Sequence, residues 1–163
     1  MSEETLQNEL LHTVKLDRKH RGELAELAFM RKAATFGFAV AKPWGDCDRY
    51  DVILRVGKIF WRVQVKSVWS KVQAGRARDY YSVRTTGASH RLYSADEIDF
   101  LVAYLFAEDL WYIFPVVEVA NRTVLWLRPG SKKSRLEQYR EAWKLMGATA
   151  TNPAAADTPV SIV

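Results

Sequence analysis

From Asp51 to Lys66 alternate positions fall into a wholly apolar set and a mostly polar one, with a break at Gly57-Lys58. This pattern predicts two strands joined by a tight turn. Val52, Leu54 and Val56 form one side of the first strand, with Asp51, Ile53 and Arg55 on the other. Beyond the turn Ile59, Trp61, Val63 and Val65 alternate with Phe60, Arg62, Gln64 and Lys66. A two-residue turn with glycine first suits type II′ geometry and sets Val56 opposite Ile59. In that register Asp51 faces Gln64, with Cβ atoms roughly 5 Å apart, and Lys66 lies one pleat further along the same face. A slip of one residue would set Asp51 against Val63 or Val65 and turn one apolar set outward, so burial itself selects the register.

The rest of the chain gives this hairpin a core to sit on. With 163 residues, 48% of them apolar, the chain fits one domain. No apolar run approaches the roughly 20 residues that span a bilayer. The start Met-Ser-Glu-Glu-Thr lacks the basic and apolar regions of a signal peptide. The expectation is a cytoplasmic protein with no membrane partner. The single cysteine, Cys47, excludes an intrachain disulfide and a multi-cysteine zinc site, and His12, His20 and His90 lack ligand spacing.

Along the chain, residues 1–16 read as an N-terminal extension, 17–146 as the domain and 147–163 as a disordered tail. A helix is expected from Asp17 to Phe36, with Leu24, Leu27, Ala28 and Ala34 at helical spacing and Gly37 as its stop. Strands follow at 38–41, in the hairpin, at 80–84, at 98–105 and 111–114, and at 124–127. A helix at 135–146 is expected to close the domain, and Gln73-Ala74-Gly75-Arg76 to lie in a mobile loop. Asp46 and Asp48 read as turn residues. The six tryptophans (Trp44, Trp61, Trp69, Trp111, Trp126 and Trp143) read as packing residues, with Trp69, in a polar basic segment, the one exception to watch. Helix, strands and helix together read as an α/β domain with a mixed sheet.

Charge is concentrated near the hairpin. Between Arg62 and Arg91 stand seven basic residues (Arg62, Lys66, Lys71, Arg76, Arg78, Arg84 and Arg91) against one acid, Asp79, a local excess of +6 in a chain of net charge +5. Such a stretch suits the phosphates of a nucleic acid, whose binding would be strongly salt-dependent. Taken alone it is equally the composition of a solvated basic loop.

The polar face has a matching chemistry. Hydrolysis of a phosphodiester at neutral pH needs a divalent cation, and hard cations such as Mg²⁺ take oxygen ligands. Asp51 is the natural first ligand, whereas Gln64 offers a neutral amide oxygen. A second carboxylate is needed, and Glu26, within the mostly apolar stretch Leu24–Met30, is the candidate, with Glu23 in reserve. Lys66 would steady the attacking water or the charge that builds on the phosphate.

Glu26 on a helix, then Asp51, then Gln64-Val-Lys66 on a hairpin resemble the PD-(D/E)XK nuclease superfamily, in particular its group I intron-associated homing endonucleases, in which glutamine occupies the second acidic position. Arg91-Leu92-Tyr93-Ser94 and Asp99-Phe100 fit that likeness, which runs from about Lys19 to Val119. Arg49-Tyr50 stands before Asp51 where the motif's name has proline. The resemblance implies a restriction-endonuclease-like core, a mixed β-sheet flanked by α-helices, and a DNA endonuclease. Its implied metal ligands are Glu26, Asp51 and Gln64, its catalytic cation Lys66, its cofactor Mg²⁺ with Mn²⁺ as a substitute, and its assembly a homodimer or higher homo-oligomer. A module of this fold that binds nucleic acid without cutting it, or a structural subunit of a larger assembly, is the alternative expectation.

Overall fold

Asp17 starts the first helix by local chemistry. Its backbone is extended and its side chain accepts the His20 N–H at 2.9 Å, closing one of the donors that a helix N-terminus leaves free. Helix α1 runs Arg18–Thr35 and ends at Phe36, before Gly37 at φ +85°. Asp17→Ala is expected to lower the urea midpoint of unfolding, because the His20 N–H loses its acceptor. The computed structural model describes residues 16–45, 47–73, 79–87 and 89–148. The expectations for residues 1–15, for Asp46, for the loop residues 74–78 with Arg76 and Arg78, and for the tail from 149 onward lie outside those ranges.

The helix packs through a stripe other than the expected one. Ala25, Phe29 and Ala33 are its buried residues, while Leu24, Leu27 and Ala34 are exposed. Two alanines let the helix lie close to the sheet, and the Phe29 ring between them stacks on Trp143, with centroids 5.5 Å apart, and tilts against Trp111 at 5.8 Å. One aromatic seated between two small residues thus outweighs the leucines in setting the helix rotation.

Seven strands follow: β1 Ala39–Ala41, β2 Val52–Val56, β3 Ile59–Val68, β4 Tyr81–Arg84, β5 Phe100–Leu105, β6 Leu110–Pro115 and β7 Val124–Leu127. Five form a mixed sheet in the order β1-β2-β3-β5-β6, and β4 and β7 form a separate two-stranded ribbon. The hairpin has the expected register, with Val56 paired to Ile59 and Val52 to Val63. Gly57 takes φ +58° while Lys58 is not among the residues with positive φ, as a glycine-first turn requires.

β3 is the strand on which the sheet changes direction. It is antiparallel to β2 on one side and parallel to β5 on the other, from Val63 opposite Phe100 to Val68 opposite Leu105. Both faces of the sheet are covered, which is why β5 and β6 read as unbroken apolar runs. Val52, Leu54, Val63, Val65, Val102, Trp111 and Ile113 meet α1 in one core. On the other face Leu101, Ala103, Leu105, Tyr112 and Phe114 pack beneath Tyr81, Val83, Leu125 and Leu127 of the ribbon.

The expected closing helix at 135–146 is not formed. Two short 3₁₀ turns, Arg135–Tyr139 and Trp143–Met146, take its place. Between them Arg140 bridges to Tyr112, the Glu141 N–H donates to the Trp111 carbonyl at 2.8 Å, and the Trp111 N–H donates to the Glu141 carboxylate at 2.9 Å. The segment satisfies the open edge of β6, which a continuous helix would not do, and it brings Trp143 and Met146 into the core. Among the described residues no helix is long and apolar enough to cross a membrane.

Candidate active site

β2 stops at Val52 while β3 runs on to Val68, so the β2-facing edge of β3 is open beyond Val63. Asp51 fills the first part of that opening. Its N–H donates to the Val63 carbonyl at 2.9 Å, continuing the ladder, and its carboxylate turns across the strand end to accept the Val65 N–H at 2.8 Å and the Gln64 side-chain amide at 2.5 Å. The hairpin register thus brings Asp51 and Gln64 together. Burial is the main reason that the Asp51 carboxyl is pushed up to about 6. The Val65 N–H works against the shift, and the nearby Glu26 carboxylate adds to it.

Glu26 reaches the same region from α1, where its carboxylate holds the Lys42 ammonium at 2.6 Å. Lys42, just beyond β1, also feels the charges of Asp51 and Glu23. Nothing in the sequence singles it out, since the loop that carries it, Lys42-Pro43-Trp44-Gly45, gives no sign that it sits beside two carboxylates.

Lys66 is partly buried one pleat beyond Gln64. Its ammonium donates to the Tyr93 hydroxyl at 2.9 Å and to the Thr86 carbonyl at 3.1 Å. Burial lowers its pKa against the opposing pull of Asp51, and Arg49 lowers it further. Burial pushes the Tyr93 hydroxyl up to about 12, so it stays protonated and offers Lys66 a lone pair. Arg49 lies over the Tyr93 ring, 4.3 Å from its centroid, and donates to the carbonyls of Arg91 at 3.0 Å and Leu92 at 2.9 Å. A Cβ on Gly87 would fall 2.6 Å from the Arg49 guanidinium, so this position has room only for glycine while Arg49 stays in place. Arg49, Thr86 and Gly87 carry no signal in the sequence, because two loops far apart in the chain bring them together.

The basic residues expected to meet nucleic acid are placed differently from one another. Arg62 is held by Asp99: its backbone N–H and Nε donate to one carboxylate oxygen at 2.7 and 3.1 Å, and Nη2 donates to the other at 2.9 Å. The guanidinium also donates to the carbonyls of Ala95 and Asp96. Burial alone would raise the Asp99 carboxyl, yet these bonds hold it below the usual carboxylate range. Their contribution is therefore present at neutral pH and is lost as the pH falls through that lowered value. Arg62→Ala is expected to cost about 1–2 kcal/mol in urea unfolding at pH 7, as the pair is partly exposed. Lys71 pairs with Glu108 at 2.7 Å and Arg91 with Glu97 at 2.5 Å. Arg84 is exposed and lines an open cleft of about 570 Å³ with Arg18, Arg21, Lys66 and Trp69.

The donor set suits a hard divalent cation. Asp51 and Glu26 supply carboxylates, and a half-turn of the Gln64 amide would present its oxygen where its nitrogen now faces Asp51. Among the described residues no group of three or more His, Cys, Asp or Glu side chains could hold a metal ion, so two carboxylates and one amide are what this site offers.

Comparison with known proteins bears on the family and the fold. A family model described as PD-(D/E)XK endonuclease matches residues 16–146. Among solved structures, a bacterial homing endonuclease, I-Ssp6803I, superposes with a TM-score of 0.70 at 32% sequence identity, over 80% of this chain and 93% of that one. No curated protein matches. With the matched span running from the residue before the helix cap to the last 3₁₀ turn, and so containing both carboxylates, the glutamine and the lysine, the chain belongs to the PD-(D/E)XK endonuclease family.

Proposed function

We propose that the protein is a Mg²⁺-dependent DNA endonuclease of the homing type, cutting duplex DNA at a specific site as a homodimer or larger homo-oligomer. The observation that carries this reading is the gathering of Asp51, Gln64 and Lys66 at the open edge of β3, with Glu26 reaching in from α1. The likeness to a bacterial homing endonuclease supports the homing type.

Asp51 and Glu26 would hold the cation through carboxylate oxygens, with Gln64 adding its amide oxygen. The family generally relies on divalent metal, and when bound such an ion neutralises phosphate oxygens and lowers the pKa of water. The chain's own residues supply the remainder. Lys66, anchored by Tyr93 and the Thr86 carbonyl, holds its ammonium beside Asp51, where it can donate to a phosphate oxygen or to the attacking water. Lys42 offsets the Glu26 charge, and Glu26 must release it to become a ligand.

Incubation of the protein with supercoiled plasmid and with branched DNA, each in Mg²⁺, Mn²⁺ or EDTA, tests the reading. Nicking or linearisation in either metal, absent in EDTA, is expected. Salt-sensitive DNA binding with no cutting of plasmids that carry a library of inserted targets would favour a binding module that has lost catalysis. Light scattering at micromolar concentration is expected to give at least a dimer, and a monomer would remove the oligomer from the proposal.

A further inference from the structure

The ribbon of β4 and β7 has an outward face that the active-site chemistry does not use. Its inner residues Tyr81, Val83, Leu125 and Leu127 are almost wholly buried in the second core. Cross-strand pairing of Ser82 with Trp126 and of Arg84 with Val124 then puts those four side chains on the other face, where all are exposed and Trp126 shows 62% of its surface. The expectation that Trp126 is a packing residue is thereby corrected. Its ring stacks on Tyr80 with centroids 5.5 Å apart, and the Arg128 guanidinium lies 6.0 Å over the Tyr80 ring. Beside it Trp126, Arg128 and Lys133 line an open pocket of about 270 Å³.

Two features say what this face meets. The first is charge. From Val119 to Leu136 the chain has five basic residues (Arg122, Arg128, Lys132, Lys133 and Arg135) and no acid, an excess of +5 that equals the net charge of the whole protein. The second is continuity, because Ser82 and Arg84 of the same face also line the 570 Å³ cleft that contains Lys66. A polyanion seated at Lys66 and followed along Arg84 would run onto Trp126, Arg128 and Lys133. A two-stranded antiparallel ribbon is also of a width that the major groove of B-DNA, about 12 Å across, admits.

We infer that the outward face of the β4–β7 ribbon binds the duplex that flanks the scissile phosphate, with Arg84, Arg128 and Lys133 on backbone phosphates and Trp126 against a groove edge. The inference rests on the nuclease reading above for its substrate. It adds a surface outside the metal-binding constellation, on a ribbon that stands apart from the main sheet.

The test is binding of the full-length protein to a 40-bp mixed-sequence duplex in EDTA, with salt varied from 50 to 200 mM, so that cleavage plays no part. Arg128→Ala/Lys133→Ala is expected to reduce the slope of log K against log salt by about 2, close to 0.9 for each phosphate no longer neutralised. Trp126→Ala is expected to weaken binding about tenfold. Lys58→Ala, which removes one exposed charge at the distant β2–β3 turn, should leave the slope unchanged. A wild-type slope retained by the double variant would overturn the ribbon and leave the nuclease reading standing. Failure of the wild-type protein to bind duplex would overturn both. Conversion of an oligomer to monomer by Trp126→Ala, with DNA affinity per protomer unchanged, would show instead that this face meets a second copy of the chain and would also overturn the inference.

Discussion

Lys66→Ala is expected to lower the single-turnover cleavage rate at saturating DNA about 10²–10³-fold and to change the dissociation constant for duplex by less than about threefold. The magnitude is that of removing one preorganised donor from a site where charge develops. The separation of rate from binding follows from geometry. Lys66 is one partly buried ammonium fixed by Tyr93 and the Thr86 carbonyl, while affinity for a polyanion is spread over many exposed charges. Lys66→Arg should not rescue the rate. The guanidinium is wider than an ammonium and cannot occupy the space between the Tyr93 hydroxyl and the Thr86 carbonyl as a point donor. Equal losses in rate and binding would instead mark Lys66 as a substrate-binding residue only, and a normal rate would remove it from the mechanism.

Asp51→Asn is expected to abolish metal-dependent cleavage and at the same time to make the metal-free protein more stable. The Asp51 carboxyl, pushed up to about 6 chiefly by burial, binds its proton more tightly in the folded chain than the ordinary value of 3.8 allows. For an acid shifted in this direction, stability falls as pH rises from about 4 to about 6, and the cost is constant above that. A shift of this size corresponds to about 3 kcal/mol. Asparagine keeps an oxygen to accept the Val65 N–H and the Gln64 amide but carries no charge. In EDTA at pH 8 the variant should therefore unfold at higher urea concentration than the wild type, with a gain of up to about 3 kcal/mol. At pH 4 the gain should vanish. A divalent cation should stabilise the wild type at pH 8 and leave the variant nearly unmoved. A variant less stable than the wild type at pH 8 in EDTA would show that the carboxylate holds the hairpin end together rather than straining it.

Both predictions rest on residues that are legible in the sequence, and the reason is local. Asp51, Gln64 and Lys66 lie on one hairpin, where period-two alternation and a glycine-first turn determine which side chains meet. The partners of those residues are not legible in the same way. Lys42, Arg49 and Thr86 come from loops, and their approach depends on how α1, β1 and the 85–93 segment pack. The rotation of α1 differs from the expected one because leucines dominate the helical pattern, whereas close approach to the sheet selects the alanines flanking Phe29. The missing closing helix has a non-local cause too, since nothing in residues 135–146 reveals that the edge of β6 needs Arg140 and Glu141. The ribbon is hidden for the same reason: β4 and β7 each read as strands, but their pairing joins residues about 40 positions apart.

The double attachment of β3 also bears on how such an enzyme can change over generations. This strand pairs on both sides, contributes Val63 and Val65 to one core and Val68 to the other, and carries Gln64 and Lys66 between them. A random change in it is more apt to unfold the protein than to alter its chemistry, so drift there is selected against even where cutting is not. The β4–β7 ribbon is built the opposite way, with alternate residues free of any core. Retargeting by laboratory selection should therefore vary Ser82, Arg84, Val124 and Trp126 and leave β3 alone, because the first set can mutate without putting the fold at risk.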